Sequence, residues 1–310
     1  MIKLLKPKFW AKKNSIFSII LSPLSFLIQL LLILKKNTIT RKQFNILTVC
    51  VGNIYIGGTG KTPLSIQIAN ELKKKFKKVV IIKKYYKNQK DEHNLINENN
   101  VSLITNYSRT QALNDATKKG FEVAILDDGF QDYSINTDLN ILCFNSRQLI
   151  GNGLTFPSGP LRESFKSIQN SEIIVINGNE NKLFEKKIHE ISKKIKIYHS
   201  KYIALNIDEF KNKKLFAIAG IGNPNNFFDL LIDNGLRIEE TASYPDHYEF
   251  KKKELEIMIN YAKKNNLELI TTEKDFQRVK NFGLNEIKYL KIKLEIAKKN
   301  EFIEQLLNYL

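Results

Sequence analysis

Residues 51–63 read VGNIYIGGTGKTP, between the apolar run NILTVC at 45–50 and an amphipathic stretch that opens at Leu64. Glycines at 57, 58 and 60 let backbone N–H groups close around an anion, and Pro63 suits the first turn of a helix. Lys61 brings a positive charge to the β/γ end of a polyphosphate, and Thr62 brings a hydroxyl able to ligate Mg²⁺. Apolar strand, GTGKT and helix in that order make a phosphate-binding loop, with nucleotide expected on Gly57, Gly58, Thr59, Gly60, Lys61 and Thr62. The strict spacing asks for glycine where Tyr55 stands, so the reading rests on the strand–loop–helix context.

Working outward, the runs at 45–50, 79–82, 123–126, 139–144 and 173–176 are nearly continuous in apolar residues, as strands buried on both faces must be. Helical stretches at 64–76 and 110–119 alternate with them. The expected fold class is therefore α/β: P-loop NTPase-like, a mainly parallel sheet flanked by helices. A second set of runs at 215–219, 267–271 and 289–294 follows the lysine-rich DEFKNKK stretch around Lys211, which reads as a hinge into a smaller C-terminal α/β lobe. The expected division is 1–42 as an N-terminal membrane-associated segment, 43–210 as the P-loop domain and 211–310 as the smaller lobe, its last helix packing back on the first domain.

The run 123–126 leads into LDDGFQ at 126–131. Alone, two carboxylates after a strand describe a solvated turn. Joined to the upstream loop, Asp127 or Asp128 becomes the group that holds Mg²⁺ against the phosphates, directly or through water, with Gly129 permitting the tight exit.

Charge and cysteine content narrow the class further. Lys+Arg number 49 against 32 Asp+Glu, a formal +17, yet arginine occurs only at 41, 109, 147, 162, 237 and 278. Nucleic-acid recognition leans on arginine forks, so an excess made of lysine argues for an anionic surface of another kind. Cys50 and Cys143 end apolar runs and read as buried, reduced thiols. Residues 16–34 are apolar except for Ser18, Ser22, Pro23, Ser25 and Gln29, and lysines crowd both flanks, Lys3, Lys6, Lys8, Lys12 and Lys13 before and Lys35, Lys36 and Lys42 after. At ~1.5 Å per residue the stretch reaches roughly 28 Å, barely a bilayer core, and Pro23 is expected to interrupt the helix. Basic flanks on both sides suit an element that dips into one leaflet and returns, with Phe9 and Trp10 at the interface. No small-residue cleavage pattern follows Leu34, which argues against a signal peptide.

Six blocks in series resemble the tetraacyldisaccharide 4'-kinase family: GNIYIGGTGKTP at 52–63, LDDGFQ at 126–131, FPSGPLRE at 156–163, AGIGNPNNFF at 219–228, YPDHYEF at 244–250 and TTEKD at 271–275. The resemblance covers most of the chain. It implies an ATP- and Mg²⁺-dependent kinase at the cytoplasmic face of a Gram-negative inner membrane, anchored by its N-terminal helix. The reaction implied is γ-phosphoryl transfer to the 4'-hydroxyl of a tetraacyldisaccharide 1-phosphate, forming lipid IVA in lipid A biosynthesis, with glycolipid and membrane surface as partners and no nucleic acid. It also implies an Asp–His pair, here Asp91 in KDEHNLI and His247 in YPDHYEF, acting with Lys61. Read without the family, His247 is one of four histidines, in an aromatic loop where a surface role is commoner. Gln131, Arg162, Glu163, Tyr86 and Arg109 are the implied substrate-binding positions.

Departures from the family pattern are Lys90 for the glycine before Asp91, Asp132 where histidine commonly follows DDGFQ, and Lys83-Lys84-Tyr85-Tyr86 in place of Ser-Arg-Gly-Tyr. Lys84 supplies a point charge instead of an arginine fork. A membrane-associated P-loop ATPase of the partition type is the alternative. Its loop carries a lysine five residues before Lys61, where this chain has Ile56.

Overall fold

The computed structural model of the chain describes residues 7–86 and 90–310. Lys3 and Lys6 of the basic N-terminal flank lie outside the described residues. Helix α1 (Ile16–Thr38) comes first, followed by alternating β1 (Leu47–Gly52), α2 (Lys61–Leu72), β2 (Val79–Lys84), α3 (Lys90–Glu98), β3 (Ser102–Asn106), α4 (Arg109–Lys118), β4 (Val123–Asp127) and β5 (Leu139–Asn145). The chain continues through β6 (Ile173–Asn177), α5 (Lys182–Ile191), β7 (Lys196–Ala204), β8 (Lys214–Ala219), α6 (Pro224–Asp233), β9 (Arg237–Ser243) and α7 (Lys252–Lys264). It ends with β10 (Glu268–Thr272), α8 (Glu273–Val279), β11 (Lys288–Leu290), β12 (Ile292–Ile296) and α9 (Lys299–Leu307).

Eight strands form one sheet in the order β12-β7-β6-β5-β1-β4-β2-β3, and four form another in the order β11-β10-β8-β9. Ladders from β7 across to β3 are parallel, as are all those of the small sheet. Parallel strands need both faces covered. Accordingly Cys50, Leu142, Phe144, Ile174 and Ile176 pack on one face of the large sheet, while Val80, Ile82, Ala124 and Leu126 pack on the other with Ala112 and Leu113 of α4. Each fully buried Val, Leu or Ile contributes about 1.5–3 kcal/mol, so these central strands fix the frame on which the loops at their C-terminal ends are held.

By their contacts the residues divide into two units that do not follow the linear boundary at 210. The larger holds 7–85, Asn100–Lys201 and Glu295–Leu310, and the smaller holds Tyr86–Asn99 and Tyr202–Leu294. The run 289–294, expected as one strand, is two: β11 belongs to the small sheet and β12 to the large one, and Lys291 separates them. Strands β3, β7 and β9 have no counterpart among the expected runs. β3 and β9 are edge strands, β9 alternates exposed and half-buried positions, and β7, inside the sheet, buries only Tyr198 and Ser200, so none carries a continuous buried apolar run.

Helix α1 corrects two further expectations. It runs unbroken through Pro23. Proline leaves the Ile19 carbonyl without its helical N–H partner, and the Ser22 hydroxyl donates to that carbonyl at 2.7 Å instead. Trp10 is buried, its indole N–H donating to Pro157 O at 3.0 Å, so it is a packing residue of the larger unit. Along one side of α1, Ser25 bonds to Thr155 O (3.0 Å) and to the Ser158 hydroxyl (2.8 Å), Ser18 accepts from Asn152 (3.1 Å) and Gln29 reaches Arg162 O (3.3 Å).

At the end of β1, a Cβ on Gly52 would stand 2.4 Å from Phe130 Cβ. Gly52→Ala should therefore lower stability by about 1–3 kcal/mol, read as a lower urea midpoint of the detergent-solubilised protein. An unchanged midpoint would mean that Phe130 moves aside freely.

Candidate functional site

In the larger unit, β1 runs directly into the phosphate loop. Gly57 and Gly60 have φ of 125° and 96°, a backbone turn that a side chain would strain. Helix α2 starts at Lys61, earlier than Leu64, so the Lys61 and Thr62 amides belong to a first turn whose N–H groups lack helical acceptors and face the loop. The fully buried Asn53 holds the loop from beneath: its amide donates to Tyr55 O at 2.7 Å, Thr59 Oγ1 at 3.0 Å and Gly57 O at 3.3 Å. Tyr55 takes the place of the expected glycine because the first half of the loop is no tight turn. It bridges to Leu161 as a short antiparallel pair, with Ile56 N–H donating to Pro160 O at 2.8 Å, and the phenol ring sinks into the core. Below Thr59, the Cys143 thiol donates to the Thr59 carbonyl at 2.9 Å, and burial pushes that thiol up to about 12, as it does Cys50.

Asp127, at the last position of β4, has no solvent exposure. Its Oδ2 accepts from the Thr62 hydroxyl at 2.8 Å and from the Lys83 ammonium at 2.6 Å, and its Oδ1 accepts from Ser65 at 3.3 Å. Asp128, with φ of 58°, turns the other way. The left-handed residue at this exit is thus Asp128, and Gly129 is needed for space: a Cβ there would lie 2.9 Å from Leu126 Cβ. Asp128 Oδ1 lies 3.5 Å from Lys61 Nζ and 3.0 Å from Arg162 Nη1. Burial would raise its carboxyl, but Lys61 and Arg162 hold it well below the usual carboxylate range. Arg162 also donates to Gln131 Oε1 at 3.1 Å, and Gln131 in turn donates to Asn53 O (2.9 Å) and Glu163 (3.0 Å). Arg109 is buried, donating to the Asp128 carbonyl at 2.6 Å and pairing with Asp132 at 3.3 Å. It clamps the turn after β4, and Asp132 is its counter-ion.

The donors at this place suit a magnesium nucleotide. Thr62 and Asp127 offer hard oxygen atoms side by side, the ligand type Mg²⁺ takes. Lys61 and the α2 amides supply the positive field that phosphates require.

In the smaller unit α3 packs against α8, and this pairing brings Asp91 to His247. Asp91 is almost wholly buried, and its Oδ2 accepts from Arg278 Nε at 3.0 Å and Nη2 at 2.5 Å. The other side of the Arg278 fork donates to Asp275 (2.6 Å) and to the Gly220 carbonyl (2.9 Å). His247 has φ of 57°, and its Nδ1 lies 3.5 Å from Asp91 Oδ2. A ring of Tyr244, Tyr248 and Phe250, with centroids 4.7–5.0 Å apart, fixes the loop that carries it. Lys274 stands 3.0 Å from Glu92, 3.5 Å from Asp246 and 3.4 Å from His247 Nε2. Arg278 Nη2 lies 3.3 Å from Nδ1, and since ammonium and guanidinium can only donate, the two contacts pull toward opposite tautomers of the ring. Burial would push Asp91 up, yet the hydrogen bond from His247 and the charges of Lys274 and Arg278 outweigh it and hold the carboxyl at about 2.

Of the residues singled out in the sequence, the loop residues, Asp127, Asp128, Gln131, Arg162, Glu163 and Arg109 gather in the larger unit, and Asp91 and His247 gather in the smaller. Tyr86 begins the smaller unit with its side chain about half exposed. Read from the sequence, Lys83 is only a departure from the family pattern, and Asn53, Lys274 and Arg278 carry no site reading. For the last two a signal existed: basic residues four apart just after a strand share a helix face.

The model of the tetraacyldisaccharide-1-P 4'-kinase (LpxK) family matches residues 17–310. A tetraacyldisaccharide 4'-kinase of Pelagibacter ubique is 46% identical over 310 residues, 99% of this chain and 98% of the relative. One of Rickettsia bellii is 32% identical over 322 residues, 99% of each. Among solved structures, LpxK from Aquifex aeolicus, determined in complex with ATP, superposes with a TM-score of 0.73 at 24% identity over 95% of this chain and 99% of that one, a likeness of fold.

The Asp91 ion pairs make an acid-dependent contribution. A carboxyl at about 2 in the folded chain and near ~3.9 unfolded stabilises fully above pH ~4, by roughly 2 kcal/mol, and loses this as pH falls through 2. Asp91→Asn should flatten the stability-versus-pH curve between about pH 4 and 2, measured by chemical unfolding at stepped pH. A curve parallel to wild type would show that the carboxylate is not charged in this way.

Proposed function

This chain belongs to the tetraacyldisaccharide 4'-kinase family, ATP-dependent enzymes of lipid A biosynthesis, and we propose that its Lys61 loop and its Asp91–His247 pair carry out the two halves of that reaction. The enzyme phosphorylates the 4'-hydroxyl of tetraacyldisaccharide 1-phosphate, forming lipid IVA. The single observation that carries the reading is the match of the family model to residues 17–310, essentially the whole of the described structure.

Phosphoryl transfer asks a protein for positioning and charge more than for covalent chemistry. Gly57, Gly60 and the first amides of α2 seat the phosphates, and Lys61 meets the charge that builds on the transferring group. Magnesium, when bound, neutralises phosphate oxygens, and Thr62 with Asp127 would hold it. Arg162, tethered to Asp128, and Gln131, tethered to Glu163, are the residues proposed to bind the acceptor. The sugar hydroxyl gives up its proton to the Asp91–His247 pair, with Arg278 keeping Asp91 ionised and Lys274 fixing the imidazole.

The membrane is the proposed second partner, and α1 is proposed to lie in its plane at the cytoplasmic face. The stripe Ser18–Ser25–Gln29 is occupied by bonds to 152–162 of the same unit, whereas Ile16, Ile20, Phe26, Leu27, Leu31 and Leu34 are exposed. A helix so held along its flank supports embedding over spanning.

Purified protein in mixed micelles with γ-labelled ATP, Mg²⁺ and tetraacyldisaccharide 1-phosphate should place label in the lipid, and His247→Ala should lower the rate about 10²–10⁴-fold. Absence of lipid label with membrane-stimulated ATP hydrolysis would move the assignment to the partition-type ATPase. For the helix, Ser15→Cys and Asn37→Cys should both react with an impermeant maleimide from the cytoplasmic side of inverted vesicles. Labelling of one end only from the opposite side would establish a span.

A further inference from the structure

Lys83 is the observation that the reaction leaves unused. It lies in a run of buried residues on a central strand, level with Asp127 in the parallel β2–β4 register. Lysine is almost never buried without a partner, and here it pairs with Asp127, the carboxylate that also accepts from the Thr62 and Ser65 hydroxyls. Ammonium and hydroxyl share Oδ2, at 2.6 and 2.8 Å, with the two ion-pair side chains 5% and 0% exposed. A divalent ion held by Thr62 and by Oδ2 of Asp127 would compete with this ammonium for the oxygen.

Charge sharpens the point. Asp127, Asp128 and Asp132, with Glu163 joined through Gln131, bring four negative charges, and Lys61, Lys83, Arg109 and Arg162 bring four positive ones. The protein alone thus offers an approaching dication no unmatched negative charge. A bound triphosphate supplies it. We propose that Lys83 is a tethered counter-cation for Asp127 that keeps divalent metal out of the site until the nucleotide phosphates are in place, so that metal and nucleotide enter together. The inference rests on the reading of Thr62 and Asp127 as metal-holding residues.

The test is Mn²⁺ binding to the full-length protein in detergent, followed by the loss of the free-ion paramagnetic resonance signal, with and without a non-hydrolysable ATP analogue. Wild type should bind Mn²⁺ weakly alone and much more tightly with the analogue. Lys83→Gln, which keeps a hydrogen-bond donor and loses the charge, should bind nucleotide-free Mn²⁺ about tenfold or more tighter, and Lys83→Arg should resemble wild type. Tight nucleotide-free binding by wild type overturns the proposal without any variant, should Lys83→Gln fail to fold. Equal nucleotide-free binding by folded Lys83→Gln and wild type overturns it too. Asp127→Asn separates the two levels: if it binds Mn²⁺ with the analogue as wild type does, the metal-site reading itself fails. If it loses that binding while Lys83→Gln is unchanged, only the role of Lys83 fails.

Discussion

A carboxylate withdrawn from water must be matched by donors, and Asp127 sets that demand at the point where three elements end. Strand β4 delivers it, the first turn of α2 answers with Thr62 and Ser65, and strand β2 answers with Lys83. Removing one partner of such a buried pair is far more costly than the pair is worth, so the elements are locked in register by a penalty as much as by an attraction. The phosphate loop hangs from this knot. Asn53 and Gln131 extend it sideways, and Arg109 closes the chain after Asp128, which leaves the loop atoms little freedom before a nucleotide arrives.

The smaller unit solves a related problem with an arginine. Arg278 spends one edge of its fork on Asp91 and the other on Asp275 and the Gly220 carbonyl, so it ties α3, α8 and the turn after β8 together. Only a planar group with donors on several edges can do this. Asp275, fully buried, also accepts from the Gly220 amide at 2.8 Å and the Thr272 hydroxyl at 2.7 Å. Held in this way, Asp91 keeps its charge beside the His247 ring.

The central strands and the loop at 51–63 were legible because their signals are local: continuous apolar runs, and glycines at fixed offsets from a lysine. LDDGFQ was legible for the same reason, though not the division of labour within it, in which Asp127 is sealed and Asp128 turns out with positive φ. What escaped depended on distant partners. Lys83 enters only as the residue in the family's serine position, and nothing in its neighbours tells of the carboxylate two strands of sequence away. Arg278 enters only as one of the six arginines. Edge strands β3 and β9 were invisible because an edge buries too little to need an apolar run. Pro23 misled because the rescue of its orphaned carbonyl came from a serine side chain.

The order in which the pieces are synthesised follows from how the chain threads its two units. The larger unit is left at Tyr86, regained at Asn100, left again at Tyr202 and regained only at Glu295. Its sheet therefore stays incomplete until β12, at Ile292–Ile296, has been made. Helix α1, by contrast, is made while the stretch 152–162 that covers its serine stripe does not yet exist. The serine stripe of α1 therefore waits, uncovered, until the chain has been made past residue 162, and the last strand of the large sheet joins later still.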